Sequence, residues 1–280
     1  MDRFFLTDLD GTLLKDDTSI SENTIEIFKN AFEKGLIISY STARSYISSK
    51  LATHQIPWKY PIILYNGALI FDPVEKVVIE GFWLNREIAN SIIEVGKRQD
   101  LTPLLFCLDK QNNEHVLHER LKKRGDIEFY NSRKNDPRFK ELEELICTED
   151  YRTLIITYIG FYDELEPLRQ YFEMKYKGRI HIHFMKDNYI EEHYFLEITN
   201  IKANKEDGLI AWCKLVGCKP SEVTVFGDNL NDLGMFSKAG KKVAVLNADP
   251  VIKEKSDKVI PSNEEDGVAN YINNIAKKLL

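Results

Sequence analysis

Short apolar runs alternate with amphipathic helical segments at both ends of this 280-residue chain, and the alternation breaks off in the middle. Residues 3–7 read as an apolar strand. Ser19 or Ser21 can cap a helix that carries Ile25, Phe28, Ala31 and Phe32 on one face, and Gly35 can end it. Residues 36–40 form a short buried strand, 45–54 a second helix and 61–65 a further strand. Asn66-Gly67 marks a tight turn into 68–71, and Asp72-Pro73 marks another before 77–80. Strands that alternate with helices across short connections build a parallel sheet with helices on both faces.

From 82 to 188 the pattern changes. A helix with Ile88, Ile92 and Val95 precedes a strand at 104–108, with 115–117 able to pair with it as a hairpin. A charged stretch, 119–138, interrupts. A strand at 153–159, a helix at 164–176 and a strand at 179–184 follow. Paired strands interspersed with helices describe an α+β insert. After it the alternation resumes: strand 195–198, helix 205–216, strand 223–226, helical segment 232–238, strands 243–246 and 258–260, and a helix from 266. The expectation is one α/β domain, 1–81 with 189–280, interrupted by an α+β insert over 82–188. No repeat or low-complexity linker suggests another arrangement.

Composition narrows the function classes. Hydrophobic residues at 43% supply a sizeable core. Lys+Arg at 38 against Asp+Glu at 44 gives a net charge of −6, which disfavours nucleic-acid binding. No apolar run approaches the roughly 18 residues of a membrane span, and the first residues, which lack a basic stretch followed by an apolar one, are not expected to be a signal peptide. Cys107, Cys147, Cys213 and Cys218 form no CxxC pair, so structural zinc is not expected and a reduced cytoplasmic setting is.

The first strand runs into Thr7-Asp8-Leu9-Asp10-Gly11-Thr12. Carboxyl ends of strands are where open α/β sheets bind ligands. Two carboxylates there repel unless a cation or a shared proton intervenes. Leu9 between them lets both aim to one side, and hard oxygen donors suit Mg²⁺; turn chemistry alone would also place Asp and Gly here. A second acidic cluster, Gly227-Asp228-Asn229-Leu230-Asn231-Asp232, follows strand 223–226, and the two together can supply one metal site. Ser41-Thr42-Ala43-Arg44 ends another strand with a hydroxyl and backbone donors for phosphate. Lys205, opening the helix after 195–198, can add positive charge, although a lone lysine is ordinarily solvated.

In this order these pieces resemble the haloacid dehalogenase superfamily, in its Cof-like branch of capped phosphatases. Asn66-Gly67-Ala68, Asn247-Ala248 and Asp266-Gly267-Val268 add secondary matches. The resemblance implies a Rossmann-like, doubly wound parallel-sheet core with the insert as a class IIB cap. It implies an Mg²⁺-dependent phosphatase of small phosphorylated metabolites, sugar phosphates among them. Asp8 would be the nucleophile that forms an aspartyl-phosphate. Asp10 would protonate the leaving group and then activate water. Asp8, the Asp10 carbonyl, Asp228 and Asp232 would serve the metal. Leu9 and Ala43 through their backbones, with Thr42, Lys205 and Asn231, would hold phosphoryl oxygens. Ala43 stands where the family usually has Gly. A phosphomutase and a non-enzymatic phosphoacceptor are the alternative readings, and the chain specifies neither a particular substrate nor an oligomeric state.

Other residues have plainer readings. His181 and His183 share one side of a strand and can touch metal or substrate, or simply pack. Lys122-Lys123-Arg124 reads as a solvated loop, and Cys213 and Cys218 as small fillers. The absence of G-x-G-x-x-G and of a Walker lysine argues against dinucleotide and P-loop enzymes.

Overall fold

The computed structural model describes residues 3–187 and 190–279. Residues 1–81 and 203–280 form one compact unit, and 82–202 a second.

The first unit is built on a five-stranded parallel sheet in the order Lys258–Ile260, Lys241–Val245, Val223–Gly227, Phe4–Thr7, Ile37–Tyr40. Its central strands are buried on both faces, with Phe5, Leu6, Val225 and Phe226 fully enclosed, as a sheet covered by helices requires. Helix Glu22–Glu33 begins at Ser21, whose side chain accepts from the Thr24 N–H, and packs against helix Gly267–Ala276. The left-handed Gly35 follows its end. Helix Lys205–Val216 is tied down by Trp212, whose indole N–H donates to the Pro61 carbonyl at 2.7 Å.

Strand Ile62–Leu64 departs from the sequence expectation. Among the described residues it joins the parallel sheet through an isolated bridge between Ser41 and Ile63. Its ladder is antiparallel, in a three-stranded sheet with Leu69–Asp72 and Val77–Gly81.

The second unit holds a six-stranded sheet in the order Ile180–Lys186, His193–Asn200, Tyr151–Phe161, Leu104–Asp109, Glu114–His118, Phe139–Glu141. Only its last pairing is parallel. Ile156, Tyr158, Leu196 and Ile198 form one core cluster with residues of helices Arg86–Lys97 and Tyr162–Lys175. Leu104, Val116 and Ile159 belong to another, with Phe129 of helix Arg124–Asn131 against it.

The boundary read between 188 and 189 falls on Asn188 and Tyr189, outside the described residues. Residues 195–198, read as the first strand of the resumed core, pair instead in the second unit, Leu196 opposite Tyr158 and Ile198 opposite Ile156. A strand before a helix looks the same from either sheet. The period-two signal was Glu197 between Leu196 and Ile198, which fits a half-covered antiparallel strand better than a buried parallel one. The charged stretch 119–138 also contains a helix, Arg124–Asn131, that its polarity concealed.

Candidate active site

Strands Phe4–Thr7 and Val223–Gly227 run parallel with Thr7 opposite Phe226, so both acidic clusters emerge at the same end of the sheet. The Asp8 N–H donates to the Phe226 carbonyl at 3.0 Å and fixes the register one residue further. Gly11 turns the chain back with φ +73°, and a Cβ there would stand 2.5 Å from Asp228 Oδ2. That position therefore needs glycine for both conformation and space. Thr12 Oγ1 then donates to Asp228 Oδ1 at 2.8 Å.

Carboxylate oxygens of Asp8, Asp228 and Asp232 lie within 4.8 Å of one another. Asp232 is fully buried. One of its oxygens accepts from the backbone N–H groups of Asp228 (3.0 Å) and Asn229 (3.1 Å), and the other accepts from Lys205 Nζ at 2.6 Å. Gly227 makes room, since a Cβ there would meet Asp232 Oδ2 at 2.5 Å. Lys205 is itself buried and also bonds Asp8 Oδ1. It starts a helix capped by Asn204, whose side chain accepts from the Asp207 N–H at 2.9 Å. Far from being a solvated surface lysine, it is the cation inside the acidic cluster.

One ammonium does not balance three carboxylates. Burial pushes the Asp8 carboxyl well above the usual range; Asp232 and Asp228 push it further and Lys205 opposes them. Burial, then Asp232, raises Asp228 to about 6, against the Thr12 hydrogen bond. Burial alone would lower Lys205, but Asp232 and Asp8 outweigh it and hold the ammonium charged. The donor set is all hard oxygen with surplus negative charge, which fits a divalent cation of the Mg²⁺ type.

The remaining candidates fall around this centre. Asp10 is not part of the carboxylate trio; its side chain is half-exposed and ion-paired with Arg44. Thr42 is buried, its N–H donating to Ile63 O (3.0 Å) and its Oγ1 accepting from the Arg44 N–H (3.1 Å). Its backbone donor is thus committed to the sheet. Ala43 is exposed at the same turn, and Leu9 buries its side chain completely. Asn231 Nδ2 donates to Asn66 Oδ1 at 3.1 Å.

Asn66 belongs to a run of three left-handed residues, Tyr65, Asn66 and Gly67. The Asn66 N–H donates to Thr42 O (2.9 Å) and the Tyr65 N–H to Arg44 O (3.1 Å), so this turn is stitched to the phosphate-loop candidate. A Cβ on Gly67 would lie 2.1 Å from Asn204 O, so glycine lets the Lys205 helix approach. Asn247 supports the first loop from the other side, donating to Gly11 O at 2.7 Å and accepting from the Asn263 N–H at 3.1 Å. Asn263, which donates to Leu14 O and Asp16 Oδ1, carried no signal in the sequence.

Residues 5–272 match the family model of haloacid dehalogenase-like hydrolases. The chain is 26% identical over 272 residues to the 5-amino-6-(5-phospho-D-ribitylamino)uracil phosphatase YitU of Bacillus subtilis, covering 95% of this chain and 94% of that one. It is 25% identical to the pyridoxal phosphate phosphatase YbhA of Escherichia coli, covering 96% and 97%. The crystal structure of TM0651 from Thermotoga maritima superposes with a TM-score of 0.80 at 28% identity, over 98% of this chain and 97% of that chain. Among the described residues no helix is long and apolar enough to cross a membrane. With phosphatases as its named relatives, the chain belongs to the haloacid dehalogenase-like hydrolases.

Proposed function

We propose that this phosphoric monoester hydrolase is an Mg²⁺-dependent phosphatase of small phosphorylated metabolites, working through an aspartyl-phosphate on Asp8. The observation that carries the reading is the Asp8 carboxylate itself. It sits at the carboxyl end of a central strand, bonded to a buried lysine and grouped with two further carboxylates.

In this reading Asp8 attacks phosphorus in line with the leaving oxygen. Asp10, two residues on and in contact with solvent, gives a proton to the leaving alkoxide and later takes one from the water that releases phosphate. Lys205 neutralises charge at Asp8, and Thr42, Asn231 and the backbone of Leu9 and Ala43 receive the phosphoryl oxygens. Asp8, the Asp10 carbonyl and Asp228 would hold Mg²⁺, with Asp232 fixed behind them; the ion supplies charge compensation between an anionic nucleophile and an anionic ester. Choice of the organic group falls to the second unit as a cap.

The test is phosphate release across a panel of sugar phosphates, pyridoxal phosphate and ribitylamino-pyrimidine phosphates, with Asp8→Asn as the blank. Many turnovers per chain support hydrolysis. A single phosphate per chain would instead mark a phosphoacceptor.

A further inference from the structure

We propose that Arg44 is the positioning residue for Asp10, a role that rests on the acid–base assignment above. Arg44 grips both oxygens of that carboxylate: Nε lies 2.8 Å from Oδ2 and 3.0 Å from Oδ1, and Nη2 lies 2.5 Å from Oδ1. A guanidinium engaged in this way sets the plane of a carboxylate as well as its place, which a lysine's point charge cannot do.

The need for such a grip follows from where Asp10 stands. Its side chain is 50% exposed, so packing does not choose its rotamer. A group that hands over a proton must lie within about 2.6–3.2 Å of the atom that receives it. Small angular errors at the Cβ of a solvated side chain exceed that tolerance. The buried members of the site are aligned by walls and backbone donors; Asp10 has the Arg44 fork.

Arg44 is itself held. Its carbonyl accepts from the Tyr65 N–H at 3.1 Å, its N–H donates to Thr42 Oγ1 at 3.1 Å, and Nη1 reaches Ser48 Oγ at 3.4 Å. The neighbouring Thr42 carbonyl accepts from Asn66 at 2.9 Å. The fork thus projects from a loop stapled to the three left-handed residues 65–67, and the order of that loop passes through Arg44 to Asp10.

The experiment compares kcat/KM for an alkyl phosphate and for p-nitrophenyl phosphate, whose leaving group needs little protonation. Asp10→Asn should lower the alkyl value by about 10²–10⁴-fold and the aryl value far less. Arg44→Gln should lower the alkyl value at least about tenfold more than the aryl value, with Arg44→Lys recovering only part. The double variant should lose no more on the alkyl ester than Asp10→Asn alone, because Arg44 acts through Asp10. Circular dichroism checks the fold, and if Arg44→Gln does not fold, Arg44→Lys carries the same comparison. Equal losses on both esters, or losses that multiply in the double variant, would overturn the proposal and make Arg44 a general phosphate ligand or a structural residue. If Asp10→Asn itself does not distinguish the esters, the acid assignment falls and this inference falls with it.

Discussion

Lys205 and Asp232 meet in a fully buried ion pair, Nζ 2.6 Å from Oδ1, with both side chains sealed from solvent. The same ammonium bonds Asp8. Removing one partner from a buried pair leaves a charge without compensation, which costs about 3–5 kcal/mol. Lys205→Met should therefore destabilise the protein by that order as well as abolish turnover. Urea unfolding measures the first and phosphate release the second. A stability loss under ~1 kcal/mol would mean that the carboxylates take up protons or water cheaply, and that the lysine is not their main counter-charge.

A divalent cation should stabilise the same cluster. Binding only to the folded state adds about 2.7 kcal/mol at one hundred times the dissociation constant. Mg²⁺ should raise the melting temperature by several degrees, and a chelator should reverse both the shift and the activity. Asp228→Asn should remove most of the shift. Because Asp228 titrates at about 6, protons compete with the cation there, and the Mg²⁺-induced shift should shrink as pH falls through that value. A shift unchanged in Asp228→Asn would place the ion elsewhere.

How much of this was legible in the sequence depends on whether a residue's role is local. Asp8, Gly11 and Asp228 follow apolar strands, and a strand end announces itself within a few residues. The parallel sheet followed from the same rhythm. Lys205 showed nothing local, since its partners lie 197 and 27 residues away and only the motif order linked them. The strand 195–198 went to the wrong sheet because pattern reports a strand but not its neighbour. Asn263 and the Arg44–Asp10 pair were hidden for the same reason: a long-range side-chain bond leaves no periodicity.

Asp126 offers a test of burial away from the chemistry. This helix residue is 5% exposed. Burial raises its carboxyl to about 7, Lys123 opposes that and Glu164 adds to it. The folded value lies above the unfolded one of about 3.9, so the folded state holds the proton more tightly. The associated stability is complete below about pH 4 and is lost as pH rises through 7. Asp126→Asn has no such proton to lose. Relative to the parent it should be near neutral at pH 4 and more stable by ~2–4 kcal/mol at pH 8. Urea midpoints at the two values decide it, and a variant equally affected at both would show that the carboxyl stays ionised.

Every residue of the proposed phosphoryl chemistry lies in the first unit, and none lies within 82–202. Groups that handle only phosphate and its leaving oxygen cannot distinguish one ester from another, because specificity is a difference in transition-state binding between substrates. Discrimination must come from surfaces that meet the organic group. The strand with His181 and His183, whose Nε2 atoms lie 3.1 Å apart, is the first place to look. On the neighbouring strand Glu197 stands opposite His183, and burial raises its carboxyl to about 7. Changing His181, His183 or Glu197 to alanine should reorder kcat/KM among phosphate esters by about 10–100-fold, while the Mg²⁺-induced thermal shift stays at the parent value. A substrate panel on variants that remain folded reads the order. Uniform losses across the panel would show that this strand does not select substrate, and selection would then rest with first-unit loops such as Asn66-Gly67.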